Sequence, residues 1–188
     1  MSKRGKLIVI VAPSGSGKST LIKRLKKEFP MIEESVSYTT RSIRTGEIDG
    51  ESYNFTDVET FLKMREAGDF IEWAEVHGNY YGTSKSFVES KLAQGSVLLF
   101  DLDVQGTDSM KDTFDQTVAI FIAPPSVDAL ESRLRGRGTD STGVINLRLM
   151  NSQRELKRKN DYDHLVVNDD LEQAYTDLSG IIRGVIEN

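Results

Sequence analysis

No cysteine occurs in the 188 residues, which removes a disulfide framework, a thiolate metal site and a cysteine nucleophile together. That usage fits a reducing cytoplasm, and the expected location is cytoplasmic. Histidine is nearly as scarce. His77 and His164 are the only two, too few for a histidine-built metal cage, and both read as structural. A basic excess is missing as well: 24 Lys and Arg against 29 Asp and Glu leave a net charge of −5, which makes no case for nucleic acid or a membrane as partner. No apolar run approaches the length of a membrane span, and no internal repeat or low-complexity tract is present. The cationic side chains therefore matter by position and not by total.

What is present is a length and composition suited to one soluble domain with appendages, not two independent domains. Near the start, Lys3, Arg4 and Lys6 precede Leu7-Ile8-Val9-Ile10-Val11 in the order of an export signal's basic and apolar regions. The apolar stretch is short and runs directly into the strongest motif of the chain. Cleavage there would destroy that motif, so the stretch reads as a strand.

The motif is Ala12-Pro13-Ser14-Gly15-Ser16-Gly17-Lys18-Ser19-Thr20, between an apolar run and a helical pattern. Glycines let consecutive backbone N–H groups turn inward around a polyphosphate, Lys18 adds a cation, and Ser19 offers a hydroxyl to Mg²⁺. A helix beginning near Lys18 points its positive end at the same anion. The general pattern G-x-x-x-x-G-K-[ST] opens on glycine, whereas Ala12 stands here; a methyl fits if that residue keeps strand-like dihedrals. An ordinary turn between strand and helix would not demand a lysine followed by a hydroxyl.

Apolar segments at 6–11, 97–102, 118–122 and 165–168 read as buried parallel strands alternating with helices at 18–28, 57–67, 85–94, 127–135, 144–159 and 171–186. This is an α/β pattern. Thr56 and Ser84 are expected to cap helix starts, and Gly68 and Gly95 to close helix ends. Residues 35–96 differ in character, with polar turns, most of the tyrosines and paired arginines, and form an expected insert on a core of 1–34 and 97–188. Between 136 and 143 stand three glycines and no apolar anchor, with Arg133, Arg135, Arg137 and Arg148 around them. That spelling predicts a hinge-bearing loop over an anion, a lid at about 136–148.

Within the insert, Ser37-Tyr38-Thr39-Thr40-Arg41-Ser42-Ile43-Arg44-Thr45-Gly46-Glu47 places two arginines three apart among hydroxyls. Two forked guanidiniums beside tyrosines suit a second phosphate. A phosphate loop and an arginine pair in one small domain point to two phosphorylated ligands facing each other.

Further segments make the pattern specific: Gly50, Tyr53 and Phe55; Glu72-Trp73-Ala74 with Gly78-Asn79-Tyr80-Tyr81-Gly82-Thr83; Asp101-Leu102-Asp103-Val104-Gln105-Gly106; Arg133-Leu134 with Arg137-Gly138-Thr139 and Arg148; and Val167-Asn168-Asp169-Asp170-Leu171 with Ala174-Tyr175. Over nearly its whole length the chain resembles the guanylate kinases. The resemblance implies a P-loop NTPase fold, a central parallel sheet flanked by helices, with a GMP-binding insert and a lid, and ATP-dependent reversible phosphorylation of GMP (and dGMP). ATP and GMP are then the partners, Mg²⁺ is the cofactor, and the oligomeric state stays open.

By the same resemblance Pro13, Ser14, Gly15, Ser16, Gly17, Lys18, Ser19, Thr20, Arg133 and Asn168 would hold ATP, Asn168 meeting adenine. Arg41, Arg44, Tyr53 and Tyr81 would hold the GMP phosphate. Ser37, Glu72, Thr83 and Asp103 would face guanine, with Glu47 also on the GMP side. Ser19 and Asp101 would serve the metal, and Lys18, Arg44, Arg137 and Arg148 the transfer itself. Base chemistry supports Glu72 independently, since guanine offers N1–H and a 2-amino group to a carboxylate, whereas adenine has an acceptor at N1. Departures from the family pattern are Ala12, Ile43 where proline is common, and Thr142-Gly143 where acidic residues are common. Two alternatives remain at this point: another nucleoside-monophosphate kinase, differing at the base pocket, and a non-catalytic phosphopeptide-binding module of the same fold. The second sits poorly with an intact Gly15, Gly17, Lys18 and Ser19.

Overall fold

Leu7 to Val11 are buried without a break, as a strand covered on both faces must be. The computed structural model describes residues 5–76, 78–136 and 141–187. In it, β1 (Lys6–Val11) leads through the phosphate loop to α1 (Lys18–Glu28) and then β2 (Ile32–Glu34). The short strands β3 (Tyr38–Thr39) and β4 (Asn54–Phe55) follow, then α2 (Val58–Glu66), β5 (Phe70–Val76), β6 (Asn79–Ser84) and α3 (Lys85–Ala93). The chain continues as β7 (Val97–Asp101), α4 (Val104–Thr113), β8 (Thr117–Ala123), α5 (Val127–Gly136), α6 (Thr142–Leu156), β9 (His164–Val167) and α7 (Leu171–Glu187).

Five strands form one parallel sheet in the order β2-β7-β1-β8-β9. Alternation along β1 divides the core between the two faces. Ile8 and Ile10 pack with Leu21 and Leu25 of α1 and Leu178 and Ile182 of α7, while Leu7 and Val9 pack with Val88 of α3 and Met110 of α4. The register pairs Ile10 with Asp101 and Val11 with Phe121, so the carboxyl ends of β1, β7 and β8 finish side by side. That rim is where open α/β sheets bind ligands.

A second sheet, ordered β4-β3-β6-β5, is built wholly from residues inside 35–96. Its β5 and β6 pair antiparallel, and Phe61 of α2 is buried against it, stacked on Phe70 and Tyr80. From Ser84 the chain returns to the first sheet, because Val88 of α3 belongs to the core beneath β7.

Several expected boundaries shift for local reasons. Asp57, not Thr56, caps α2: its carboxylate accepts the Thr60 N–H at 2.8 Å and the Thr60 hydroxyl at 2.7 Å. Ser84 caps α3 as expected, and Gly68 and Gly95 follow their helices with φ of 75° and 80°. Helix α4 was absent from the sequence reading because Val104–Thr113 carries little apolar periodicity; Asp103 starts it by accepting the Gly106 N–H at 2.8 Å. Strands β3, β4 and β6 of the second sheet were also missed, two of them only two residues long, whereas a strand at Glu72-Trp73 is expected and is found as β5. Helix α6 begins at Thr142, capped by Ser141, so Thr142 and Gly143 are helical and not part of a loop. Of the expected lid, Arg137, Gly138, Thr139 and Asp140 lie outside the described residues, as does His77. Among the described residues no helix is long and apolar enough to cross a membrane.

Candidate active site

Backbone geometry at the end of β1 makes the loop. Gly15 and Gly17 have φ of 93° and 89°, a region glycine enters freely, and the Ser16 N–H bonds the Pro13 carbonyl at 3.1 Å. Gly17 is the N-cap of α1, so the first helical N–H groups face the cavity. Side chains could not replace these glycines: a Cβ on Gly15 would press on Leu130 and Leu134 of α5, and one on Gly17 would meet the Asn168 amide. Ala12 is accommodated, its methyl packing against the core on the α1 and α7 face.

The loop encloses a cavity of about 390 Å³ lined, among the described residues, by Ala12 to Thr20 and by Glu155 of α6. Lys18 reaches across it to form an ion pair with Asp101 at the end of β7. The Lys18 side chain is 20% exposed and that of Asp101 52%, so the pair opens to the rim. Asn168 stands beneath the loop: its amide donates to the Ser16 carbonyl at 2.7 Å, and its own carbonyl accepts from Arg133 at 3.0 Å. In this position Asn168 is buried and braces the loop.

Across the rim, Arg41 closes a two-pronged bond on Glu47, with Nη1 to Oε2 at 3.1 Å and Nη2 to Oε1 at 2.7 Å. Glu47 also accepts the Arg44 backbone N–H at 2.8 Å. The Arg41 fork, then this N–H, hold the Glu47 carboxyl below the usual carboxylate range. The Arg41 guanidinium lies 5.3 Å from the Tyr53 ring centre, and Tyr53 meets Tyr81 edge to face at 5.9 Å. Arg44 is exposed, and its guanidinium makes no hydrogen bond or ion pair among the described residues.

Ser37 and Tyr53 share a cavity of about 260 Å³ with Asp101 and Leu102. Asp101 thus borders both the phosphate loop and the insert. A neighbouring cavity of about 190 Å³ holds Glu72 on β5 and Asp103 before α4. The Thr83 hydroxyl, fully buried on β6, donates to Glu72 Oε1 at 2.5 Å, a contact set by the Glu72–Thr83 register of β5 and β6. Burial pushes the Glu72 carboxyl up; the Thr83 hydrogen bond opposes this and the Asp103 charge adds to it.

The structure therefore gathers the residues expected at ATP around Lys18 and those expected at GMP around Arg41 and Glu72, with Asp101 between. Arg148 is half-buried on α6. Two features escaped sequence reasoning: Glu155 in the phosphate cavity, and the internal pairing of Arg41 with Glu47.

A glycine-rich loop with its lysine after the central strand of a parallel sheet, with helices on both faces, defines a P-loop nucleoside-triphosphate-binding protein. The guanylate kinase sequence profile matches residues 4–184. A guanylate kinase of Aromatoleum aromaticum is 48% identical over 179 residues, 95% of this chain and 88% of that one. One of Nitratidesulfovibrio vulgaris is 50% identical over 176 residues, 94% of this chain and 85% of the other. In three dimensions, the crystal structure of guanylate kinase from Anaplasma phagocytophilum superposes with a TM-score of 0.70 at 33% identity, covering 97% of this chain and 86% of its own. The chain belongs to the guanylate kinase family. Its reaction is the phosphorylation of GMP by ATP.

Proposed function

We propose how the residues divide this reaction. The phosphate loop from Pro13 to Thr20 takes the ATP phosphates on its N–H groups and on Lys18, with Arg133 and Asn168 behind it; Asn168, expected at adenine, has its side-chain amide committed to the Ser16 carbonyl and so acts on ATP by bracing the loop. Arg41, Arg44, Tyr53 and Tyr81 take the GMP phosphate, Glu47 orienting Arg41. Ser37, Glu72, Thr83 and Asp103 read guanine. Residues 35–96 form the GMP-binding unit, and 136–148, carrying Arg137 and reaching Arg148, act as a lid. The reading also extends to dGMP and to a cytoplasmic setting, the latter supported by the lack of cysteine.

One observation carries the proposal: Asp101 is paired with Lys18 in the loop and lines the same cavity as Ser37 and Tyr53. Donor and acceptor phosphates held on these two sides would meet at Asp101. No group on the chain need form a covalent intermediate, because phosphoryl transfer rests on alignment and on charge stabilisation. Lys18, Arg44, Arg137 and Arg148 supply that charge, and closing the lid excludes the water that would hydrolyse ATP.

The oxygen donors at the rim fit Mg²⁺. Asp101 presents a carboxylate, Ser19 a hydroxyl in the first turn of α1, and Mg²⁺ is commonly held by one or two carboxylates with substrate phosphates and water. Ser19 and Asp101 would hold it, and when bound it neutralises charge on the phosphate oxygens. Lys18 then leaves Asp101 for the phosphates.

A coupled ADP-release assay with GMP, dGMP, AMP and UMP, with Mg²⁺ and with excess chelator, tests the reading. GMP should far outrun AMP and UMP, and chelator should abolish turnover. Equal rates with all monophosphates would overturn the assignment of the base pocket.

A further inference from the structure

A carboxylate is out of place in a cavity made to hold polyphosphate. Among the described residues the loop cavity is otherwise lined by Ala12 to Thr20, whose polar groups are backbone amides and carbonyls, hydroxyls and the Lys18 ammonium. Among these residues Glu155 is the lining group that comes from another element, while the Asp101 carboxylate stands at the rim, already paired with Lys18. It is half-buried, and α6 aims it there by geometry: Ile145, Leu149, Ser152 and Leu156 form the packed seam, which turns the adjacent Glu155 toward the loop. Burial raises its proton affinity, the Lys18 charge lowers it, and the Asp103 charge raises it again, so it sits within the field of both.

We propose that Glu155 is a specificity-determining residue that makes nucleotide binding conditional on the accompanying divalent cation. The inference rests on the reading that this loop receives ATP. Metal-free ATP brings close to four negative charges into the cavity, and a fixed carboxylate repels all of them. Pairing with a divalent cation halves that charge, so the repulsion falls by about half or more. Such charge-charge terms are strong where solvent is partly excluded and weak where it is not, and Glu155 is in the former position. Lys18 and the loop amides attract both forms of the nucleotide. Glu155 widens the difference between them beyond what the metal-holding Ser19 and Asp101 supply, keeping the loop from being occupied by a nucleotide that cannot react.

The test is direct titration of ATP into wild type, Glu155→Gln and Glu155→Asp, once with excess MgCl₂ and once with excess EDTA, read by calorimetry and not by turnover. Glu155→Gln should bind metal-free ATP about five- to tenfold more tightly, with the magnesium-bound form changed by less than about twofold. Glu155→Asp, which keeps the charge, should retain the wild-type preference and guards against a glutamine variant that folds poorly. Equal changes in both titrations, or no change in either, would overturn the proposal. Failure of wild type to bind ATP under both conditions would instead overturn the loop assignment.

Discussion

The side-chain amide of Asn168 donates a buried 2.7 Å hydrogen bond to the carbonyl of Ser16, joining positions 152 residues apart. The close approach needs Gly17, whose missing side chain leaves the space that the amide fills. Through this contact the end of β9 holds the shape of the loop after β1.

Asn168→Ala should therefore loosen the loop and leave the insert intact. Stranding the Ser16 carbonyl costs about 1–3 kcal/mol. Denaturant unfolding should show that loss, and nucleotide titration should show ATP weakened with GMP unchanged. A parallel loss for GMP would mean that the contact supports the whole fold.

Lys18→Ala should lower turnover by more than about a hundredfold, as expected when a group that neutralises transition-state charge is removed. Thermal unfolding should barely move, since Asp101 is half exposed and is rehydrated when its partner is lost. Activity and melting temperature measured on one preparation decide between a catalytic and a structural lysine.

The two arginines of the insert should behave differently. Arg41 is committed to Glu47, whereas the Arg44 fork makes no bond among the described residues. Arg44→Lys keeps the charge and loses the planar fork, so KM for GMP should rise about tenfold while stability stays unchanged. Arg41→Lys should raise KM and also lower the melting temperature.

Glu72→Gln should cost GMP far more than AMP in kcat/KM, because the amide accepts one hydrogen bond but loses the charge and the second acceptor that guanine's N1–H and 2-amino group use. Sites built on such polar pairs discriminate by about 10⁴–10⁵. Proportional losses for the two monophosphates would remove Glu72 from base reading.

Opposite pH effects on stability should attend Glu72 and Glu47. Burial raises the Glu72 carboxyl above its unfolded value of 4.5, so its contribution is fully present below 4.5 and is lost as pH rises through the folded value. For Glu47, lowered by Arg41, the contribution is present above 4.5 and is lost as pH falls through the folded value. Melting curves of the nucleotide-free protein should show Glu72→Gln gaining on wild type as pH rises above 4.5, and Glu47→Gln losing on wild type as pH rises toward 4.5 from below.

How far the sequence revealed this site depends on what each residue reports. The loop from Ala12 to Thr20 was legible because its glycines, lysine and hydroxyl each answer a local requirement. The core strands were legible because a two-sided burial leaves unbroken apolar runs such as Leu7 to Val11. Most of the second sheet was not, since Tyr38-Thr39 and Asn54-Phe55 are too short for any period to show. Helix α4 was hidden by its polar composition, and Asp103, read for its carboxylate, also serves as a helix cap. Glu155 could not be found locally: what it faces is decided by the packing of Ile145 and Leu149 on α5.

Pairing of Lys6 with Val97 and of Leu7 with Thr117 has a consequence for biosynthesis. Leu7-Ile8-Val9-Ile10-Val11 leaves the ribosome first, yet its neighbours in the sheet follow about 90 and 110 residues later, on the order of 5–20 s at ordinary elongation rates. During that interval a segment of high β-propensity, without proline or charge, has no partner of its own chain, the condition under which strands pair with other chains. The nascent protein should be most prone to aggregate before β7 emerges. Synthesis slowed between codons 35 and 96 should lower soluble yield, while the same delay after codon 123 should not.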